Sequence, residues 1–227
     1  MTGPLLLQGG GELSPGCREM DRALLERAPG PVAVLPLAST PGRDHDLTLA
    51  RATSYYEGLG QDLGVEVLPA TGDPLARVAA AAVVVLTGGS PSRLRRALVG
   101  TPLGTALAEH VRRGGAVSGS SAGAMLLGAW TVLPEEGHRL DTGLGLAGDV
   151  VVVPHWDGPR QDWLAAIHRG ADRCTVLGLP EESGVLVEGD GLTAVGRFPS
   201  VVVGHGGDVR VVTRSALFRM GPFGADR

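Results

Sequence analysis

The feature that most constrains the fold is an alternation of short apolar runs with segments of helical periodicity. The apolar runs are continuous rather than alternating in polarity, which is the pattern of strands buried on both faces. They lie at 4–7, 32–37, 65–69, 82–89 and 115–120. Helical patterns fall between them at 17–28, 44–62, 73–80 and 101–113. Strand, helix and strand in repetition predict an α/β fold, a doubly wound and mostly parallel sheet with helices on both faces.

The C-terminal part of the chain has a different pattern. After residue 183, short β-rich runs are separated by GDG, FP and HGGD turns. Such runs predict hairpins or an antiparallel edge added to the parallel sheet. No linker separates the two parts, and neither part contains an internal repeat. We therefore expect one α/β domain over residues 1–227, with a β-rich C-terminal extension at about 184–213.

Composition excludes several classes of function. The net charge is −4 and the 20 basic residues are scattered rather than gathered in a stripe, so we expect no nucleic-acid partner. Two cysteines without a CxxC spacing indicate neither a zinc site nor a disulfide framework. No run approaches the ~18 apolar residues of a membrane span, and the N-terminus lacks a signal-peptide pattern. We expect no membrane association and a cytoplasmic protein.

The strongest functional signal is the stretch GGAVSGSSAGAMLLGAW at residues 114–130. Within it, Gly119–Gly123 matches G-x-S-x-G between a predicted strand and a predicted helix. In a nucleophile elbow the central serine occupies a strained turn, and flanking glycines avoid collisions with the strand and the helix. The helix also directs backbone N–H groups at the same point. The pattern predicts Ser121 as a nucleophile; the alternative is a serine that only caps the helix.

A serine nucleophile needs donors for an oxyanion. The TGGS segment at 87–90 follows another predicted strand, and its two glycines have no side chain to block an approaching carbonyl group. We expect the N–H groups of Gly88 and Gly89, together with that of Ala122, to form the oxyanion hole. The alternative for the glycine pair is a plain strand-to-helix turn.

Two histidines are candidates for the general base, because each ends an apolar run. His155 follows DVVVVP, and His205 follows SVVVG. The other histidines fall in helical patterns or polar segments, where capping or exposure explains them. Periodicity does not decide between His155 and His205.

The order of these segments resembles the serine peptidase family of cyanophycinases and aspartyl dipeptidases (peptidase E-like), which is class I glutamine amidotransferase-like. The resemblance rests on LLLQGGGE, VAVLPLAST, VVLTGGSPSRL, GGAVSGSSAGAMLLG and VVVVPHWD, and it covers about residues 4–212. It implies a Ser–His–Asp/Glu arrangement without metal or cofactor. It also implies cleavage of small or unusual peptide bonds at acidic residues.

Carried onto this sequence, the resemblance implies Ser121 as the nucleophile and His155 as the general base. The acidic third member of the family follows the serine by a short spacing, which here points to Glu136. Glu135 and Asp141 are its rivals, because all three lie in one polar segment. The acid would hold the tautomer of the histidine and stabilise the imidazolium ion.

Other polar residues near the predicted site have two interpretations each. Arg160 is expected to bind a substrate carboxylate through its bidentate guanidinium group, and the alternative is an exposed arginine at a helix start. Glu181 and Glu182 follow a later strand end, where they either reach the cleft or shape a turn. The GGGE segment at 9–12 breaks the G-x-G-x-x-G spacing of dinucleotide sites, so we interpret it as a tight loop that borders the cleft.

Three functional hypotheses follow. The first is a serine-type peptidase that hydrolyses small or isopeptide-like bonds, at aspartate, through a Ser–His–Glu acyl-enzyme mechanism. The second is an α/β-hydrolase-type esterase that uses Ser121 and His205, and the third is a non-catalytic amidotransferase-like binding domain. The expected partner is a small peptide or isopeptide substrate, and formation of a homodimer is left open.

Overall fold

The computed structural model describes residues 2–159, 161–171, 174–203, 209–212 and 217–219. The helices there are α1 (Arg18–Arg27), α2 (Arg43–Gly60), α3 (Pro74–Ala80), α4 (Pro91–Leu98), α5 (Pro102–Arg112), α6 (Ala122–Leu127) and α7 (Gln161–Gly170). The strands are β1 (Leu5–Gln8), β2 (Val32–Leu35), β3 (Val83–Leu86), β4 (Ala116–Ser120), β5 (Trp130–Leu133), β6 (Arg139–Thr142), β7 (Val150–Pro154), β8 (Thr175–Leu179), β9 (Ser183–Glu188), β10 (Gly191–Gly196), β11 (Ser200–Val203), β12 (Val209–Val212) and β13 (Leu217–Arg219). None of the helices in this part of the chain combines the length and apolar content needed to cross a bilayer.

The strands form two sheets. The first has the order β13-β10-β9-β1-β4-β3-β2, and β1, β4, β3 and β2 run parallel in it. The second has the order β12-β11-β8-β7-β5-β6, with parallel pairing of β5, β7 and β8. The C-terminal hairpins add an antiparallel edge to each sheet, since β9 pairs with β1 and β11 pairs with β8. The predicted α/β class, with parallel strands and C-terminal hairpins, is confirmed.

The central strands are apolar without alternation because both of their faces are covered. In β7, Val150 and Val152 pack in a core that the two sheets share, whereas Val151 and Val153 pack on the other side with Ile167 of α7. The residues of β1 likewise divide between two cores. Two-sided burial of this kind is what the continuous apolar runs predict.

Two elements of the structure differ from the prediction. The run at 65–69 is not a strand, because only Val67 forms a bridge, to Val32 at the edge of the first sheet. The bridge consists of two hydrogen bonds at 2.8 Å, from the N–H of Val32 to the carbonyl oxygen of Glu66 and from the N–H of Leu68 to the carbonyl oxygen of Val32. Helix α4 was not expected; it begins after Ser90, whose hydroxyl group accepts the N–H of Arg93 at 3.1 Å.

The topology brings the carboxyl ends of strands from both sheets to one place. The chain leaves β1 at Gly9, whose carbonyl oxygen accepts a hydrogen bond from the N–H of His155, the residue after β7. The carbonyl oxygen of Gln8, the last residue of β1, accepts the N–H of Ser121, the residue after β4. The end of β1 therefore joins the turns that follow β4 and β7.

Candidate active site

Ser121 lies between β4 and α6 in a backbone conformation that few residues other than glycine adopt. Its φ of 50° and ψ of −112° lie outside the common regions, which marks a strained turn. The N–H of Ser121 donates to the carbonyl oxygen of Gln8 at 3.0 Å, and its own carbonyl oxygen accepts the N–H of Met125 at 2.9 Å. Strand β1 and helix α6 thus hold the serine at the apex of the turn.

The glycines of the elbow are required by close backbone contacts. A Cβ atom on Gly119 would lie 2.6 Å from the carbonyl carbon of Gly123. A Cβ atom on Gly123 would lie 2.2 Å from the carbonyl oxygen of Leu86 in β3. Both distances are too short for a side chain, so the elbow packs only when both positions are glycine.

His155 occupies a second strained turn, at the end of β7. Its φ is 51°, and its N–H donates to the carbonyl oxygen of Gly9 at 2.8 Å. The Nε2 atom of His155 lies 2.9 Å from the Oγ atom of Ser121. At this distance a histidine is able to take the proton of the hydroxyl group directly. The structure therefore brings together the serine and the histidine that the sequence points to.

A carboxylate lies on the other side of the imidazole ring, and it belongs to Glu181. Its Oε1 atom is 2.9 Å from Nδ1 of His155. A carboxylate at Nδ1 favours the tautomer in which Nε2 accepts a proton from the serine. The side chains of His155 and Glu181 are 41% and 61% exposed, so water weakens their interaction.

The structure does not bring Glu136 to His155, and the expectation for this residue is corrected. The carboxylate of Glu136 pairs with Arg139, and this hydrogen bond lowers the pKa of Glu136 below its usual value. The segment that carries Glu136 connects β5 to the antiparallel strand β6, whereas Glu181 follows β8, the parallel neighbour of β7. Neighbouring parallel strands end at the same edge of a sheet, and this signal points to Glu181.

The two rivals of Glu136 also have other partners. The Oε2 atom of Glu135 accepts a hydrogen bond from the hydroxyl group of Ser92 at 3.1 Å. The carboxylate of Asp141 forms an ion pair with Arg95 at 2.8 Å. Neither carboxylate is a partner of the histidine.

The glycine loop, residues 9–12, supports several parts of the site. Gly10 has a φ of 133°, and a Cβ atom on it would lie 2.4 Å from Cε1 of His155, so the bare backbone packs against the imidazole ring. The carbonyl oxygen of Gly10 accepts the N–H of Glu182 at 2.9 Å. The carboxylate of Glu182 in turn accepts the hydroxyl group of Ser14 at 2.9 Å, and Ser14 and Arg197 lower its pKa. The loop thus fixes the histidine and the turn that carries Glu181.

The predicted oxyanion donors differ from one another in their partners. The N–H of Gly88 donates to Oε1 of Glu12 at 2.8 Å, so it is already engaged within the chain. The N–H of Gly89 donates to no acceptor among the described residues. Ala122 is the first residue of α6, where N–H groups lack helical partners. Gly89 and Ala122 therefore remain the predicted donors of the oxyanion hole.

Two of the predicted site residues, Arg160 and His205, lie outside the described residues. Cys17 is buried behind the glycine loop, where its thiol group donates to the carbonyl oxygen of Gly11 at 3.2 Å and burial raises its pKa to about 11. A thiol with so high a pKa is a poor nucleophile at neutral pH. Across the part of the chain that the structure describes, no three His, Cys, Asp or Glu side chains are grouped to hold a metal ion.

Comparisons with known proteins identify relatives of this arrangement. The family model described as peptidase family S51 matches residues 5–195. Among solved structures, a peptidase from an acI-B1 Actinobacterium is 24% identical with a TM-score of 0.78, over 97% of this chain and 98% of that chain. A putative peptidase E protein from Listeria monocytogenes EGD-e is 16% identical with a TM-score of 0.64, over 87% of this chain and 100% of that chain. No protein of curated function matches. The structural likenesses show a shared α/β fold, which is consistent with the class I glutamine amidotransferase-like fold that the family resemblance implies.

Proposed function

The chain belongs to peptidase family S51 and is a serine peptidase, and we propose that it cleaves its substrates with Ser121, His155 and Glu181 through an acyl-enzyme. One observation carries this proposal. The Oγ atom of Ser121 lies 2.9 Å from Nε2 of His155, and Nδ1 of the same ring lies 2.9 Å from Oε1 of Glu181. A nucleophile, a base and an acid that orients the base, in this order, are the parts of a serine peptidase mechanism.

The mechanism divides hydrolysis into two steps. In the first, Ser121 Oγ attacks the scissile carbonyl carbon while His155 Nε2 takes the hydroxyl proton. His155 then gives this proton to the leaving amine, the C–N bond breaks and an ester forms on Ser121. In the second, water attacks the carbonyl carbon of the ester while His155 Nε2 takes a proton from the water; the bond to Ser121 Oγ breaks, His155 returns the proton to this oxygen, and the acid product leaves. The N–H groups of Gly89 and Ala122 stabilise the oxyanion of both steps, and one such donor lowers the barrier by about 3–4 kcal/mol.

The proposed substrates are small peptides or isopeptide-like compounds that are cleaved at an acidic residue, aspartate. This preference follows from the resemblance to cyanophycinases and aspartyl dipeptidases. The side chains of His155 and Glu181 are 41% and 61% exposed, which supports a site that a small molecule in solution is able to reach. The residue expected to bind the acidic side chain, Arg160, lies outside the described residues.

The two other hypotheses lack a favouring observation. An esterase that pairs Ser121 with His205 requires the hydroxyl group of Ser121 to contact His205, but in the structure this hydroxyl group contacts His155. A non-catalytic binding domain has no need of a strained serine whose hydroxyl group meets a histidine that is itself held by a carboxylate. Both hypotheses predict that His155→Ala leaves the function intact, which separates them from the peptidase.

The experiment compares α-aspartyl, β-aspartyl and alanyl dipeptides that share their second residue. We expect wild-type kcat/KM for one of the aspartyl substrates to exceed that for the alanyl substrate by at least ~10-fold. Ser121→Ala should lower kcat by at least ~10³-fold, because the nucleophile is lost. Ser54→Ala, at an exposed serine of α2, is the matched control and should keep wild-type activity. Equal rates on aspartyl and alanyl substrates would reject the acidic preference alone, and an active Ser121→Ala variant would reject the mechanism.

A further inference from the structure

The end of β1 holds all three turns of the proposed triad through consecutive carbonyl groups. The carbonyl oxygens of residues 8–10 accept, in order, the N–H groups of Ser121, His155 and Glu182 at 3.0, 2.8 and 2.9 Å. In the first two turns, the hydrogen-bonded residue is itself a member of the triad. In the third turn it is the residue after Glu181, so the end of β1 holds Glu181 through its neighbour.

The carboxylate of Glu181 has little else to hold it. Its Oε1 atom lies 2.9 Å from Nδ1 of His155, and no other group among the described residues donates a hydrogen bond to this carboxylate. The side chain of Glu181 is 61% exposed, so packing restricts it weakly. The direction of this side chain is therefore set mainly by the backbone of the turn between β8 and β9.

Glu182 gives this turn its shape, because its backbone is left-handed, with a φ of 54°. A residue other than glycine keeps such a conformation only where its contacts fix it. The Oε1 atom of Glu182 accepts the hydroxyl group of Ser14 at 2.9 Å, and its Oε2 atom accepts the guanidinium group of Arg197 at 3.1 Å. Its carbonyl oxygen accepts the N–H of Arg197 at 2.9 Å. Both the side chain and the backbone of Glu182 are thus fixed.

The glycines next to Glu182 leave room for its side chain. A Cβ atom on Gly16 would lie 2.3 Å from Cδ of Glu182, and a Cβ atom on Gly11 would lie 3.2 Å from its Cγ. The side chain of Glu182 is 23% exposed, compared with 61% for Glu181. Because its carboxylate oxygens are bound away from His155, Glu182 takes no part in the proposed mechanism. The better held of the two neighbouring side chains is therefore the one that does no chemistry.

We propose that Glu182 is a positioning residue, which keeps its turn in the conformation that directs Glu181 to His155. Its bonds to Ser14 and Arg197 offset the cost of the left-handed conformation. Rotation about φ of residue 182 moves residue 181 relative to β9, so a turn that relaxes takes the carboxylate away from Nδ1 of His155. This inference rests on the proposed function, in which Glu181 orients the general base.

Several variants separate the side-chain bonds of Glu182 from the reacting groups. Glu182→Ala removes both bonds and leaves the triad residues unchanged. A double variant, Ser14→Ala/Arg197→Met, removes the same bonds with Glu182 in place, so it does not depend on the backbone preference of alanine. Glu182→Gln is the conservative change, because its amide oxygen is able to accept the hydroxyl group of Ser14. The matched control is Glu188→Ala, which removes a carboxylate on β9 that pairs with Arg27 at 3.2 Å, away from the site.

The test is a double-mutant cycle with the Glu181→Gln variant. In the wild-type background we expect Glu182→Ala to lower kcat for a dipeptide substrate by at least ~5-fold, with KM changed by less than ~2-fold. In the Glu181→Gln background the same change should lower kcat by less than ~2-fold, because the carboxylate that it positions is already lost. The Ser14→Ala/Arg197→Met variant should behave likewise, and Glu182→Gln should retain more activity than Glu182→Ala. Glu188→Ala should have no effect in either background.

A second measurement makes the cycle independent of the peptide substrate. The rate at which a fluorophosphonate labels Ser121 reports the activation of this serine by His155, so the same variants should show the same pattern. Urea denaturation shows whether each variant is folded under the conditions of the assay. If Glu182→Ala does not fold, the Ser14→Ala/Arg197→Met variant decides the question in its place.

Two results overturn this inference alone. A Glu182→Ala variant with wild-type kcat shows that the turn keeps its conformation without the carboxylate. Equal factors of loss in both backgrounds show that Glu182 stabilises the fold and does not position Glu181. If Glu181→Gln itself keeps wild-type kcat while Ser121→Ala is inactive, the proposed acid is wrong and the inference fails with it. The same holds if wild type cleaves no peptide and a fluorophosphonate does not label Ser121.

Discussion

The two sides of the Ser121–His155 pair are built in different ways. The serine lies in an elbow whose neighbours are buried and whose glycines touch other backbone atoms. The histidine and Glu181 are 41% and 61% exposed, and the histidine turn is held by a hydrogen bond to Gly9. Packing holds the nucleophile in place. The base is held instead by hydrogen bonds, and water competes for these. Changes on the serine side should therefore cost stability and activity together, and changes on the histidine side should cost activity alone.

The largest combined effect is expected for Gly123→Ala. The new Cβ atom would lie 2.2 Å from the carbonyl oxygen of Leu86, so either the strand or the elbow has to move. We expect loss of detectable peptidase activity and a decrease of about 1–3 kcal/mol in the free energy of unfolding, as for other overpacked sites. Urea denaturation and a dipeptide assay measure the two quantities.

Gly58→Ala is the matched control for this change. Gly58 lies within α2, and a Cβ atom there meets nothing within 4 Å. Alanine has the higher helix propensity, so the control should gain up to about 1 kcal/mol and keep its activity. A fully active Gly123→Ala protein would show that packing does not fix the nucleophile.

On the exposed side, His155→Ala should remove activity without unfolding the protein. The general base is lost, so kcat should fall by at least ~10³-fold. Few packing contacts of a half-exposed ring are lost, and the free energy of unfolding should change by less than in Gly123→Ala. Steady-state kinetics and urea denaturation on the same preparation check this. A larger loss of stability in His155→Ala than in Gly123→Ala would reverse the comparison.

A smaller effect is expected for Glu181→Gln. Loss of a buried triad carboxylate costs about 10⁴-fold in kcat, and because Glu181 is exposed and screened we expect a loss of only ~10–100-fold. Glu136→Gln, the same chemical change at a carboxylate that pairs with Arg139, should keep the wild-type kcat. Steady-state kinetics on both variants separates the two acids. A larger loss in Glu136→Gln than in Glu181→Gln would restore the assignment that the sequence favoured.

The smallest effect on activity is expected at a carboxylate behind the elbow, which changes the pH dependence of stability rather than catalysis. Asp21 accepts hydrogen bonds from Gln8 at 2.6 Å and from Tyr55 at 2.7 Å, and burial raises its pKa from 3.8 to about 6. The folded state then holds the proton more tightly than the unfolded state. The stability that this proton provides is fully present below pH 3.8 and is lost as the pH rises through about 6.

Asp21→Asn removes this titration and tests its sign. The free energy of unfolding of wild type, relative to the variant, should fall by on the order of 1–3 kcal/mol between about pH 4 and pH 7. Urea denaturation of both proteins at the two pH values measures the difference. A difference that stays constant or grows with pH would contradict the burial of an ionisable group behind the elbow.

The contrast between the serine side and the histidine side of the site also separates the features that the sequence predicts from those that it does not. Ser121 is predictable because the elbow is a local device, in which two glycines within a pentapeptide follow from close backbone contacts. The apolar runs are predictable for a similar reason, since burial on both faces leaves a continuous pattern in each strand. The run at 65–69 has the same apolar pattern, but it lies at the edge of the first sheet and forms only the bridge between Val67 and Val32, so there the pattern overpredicts a strand.

The carboxylate at His155 is not predictable from spacing along the chain. Glu181 reaches the histidine because β8 lies beside β7 in the second sheet, and the order of strands in a sheet is a long-range property. Glu136 lies closer to Ser121 in sequence, but its segment leads into an antiparallel strand and its charge is taken by Arg139. The contacts of Glu182 depend in the same way on β1, β8 and β10 ending together.

The most direct test of the central claim, that His155 activates Ser121, is covalent labelling with a fluorophosphonate. Intact and peptide-level mass spectrometry would compare wild type, His155→Ala and Glu136→Gln. We predict one adduct, on Ser121, at the same rate in wild type and Glu136→Gln and strongly reduced in His155→Ala. An adduct that forms equally fast without His155, or no adduct in wild type at concentrations that label a control serine hydrolase, would contradict the account.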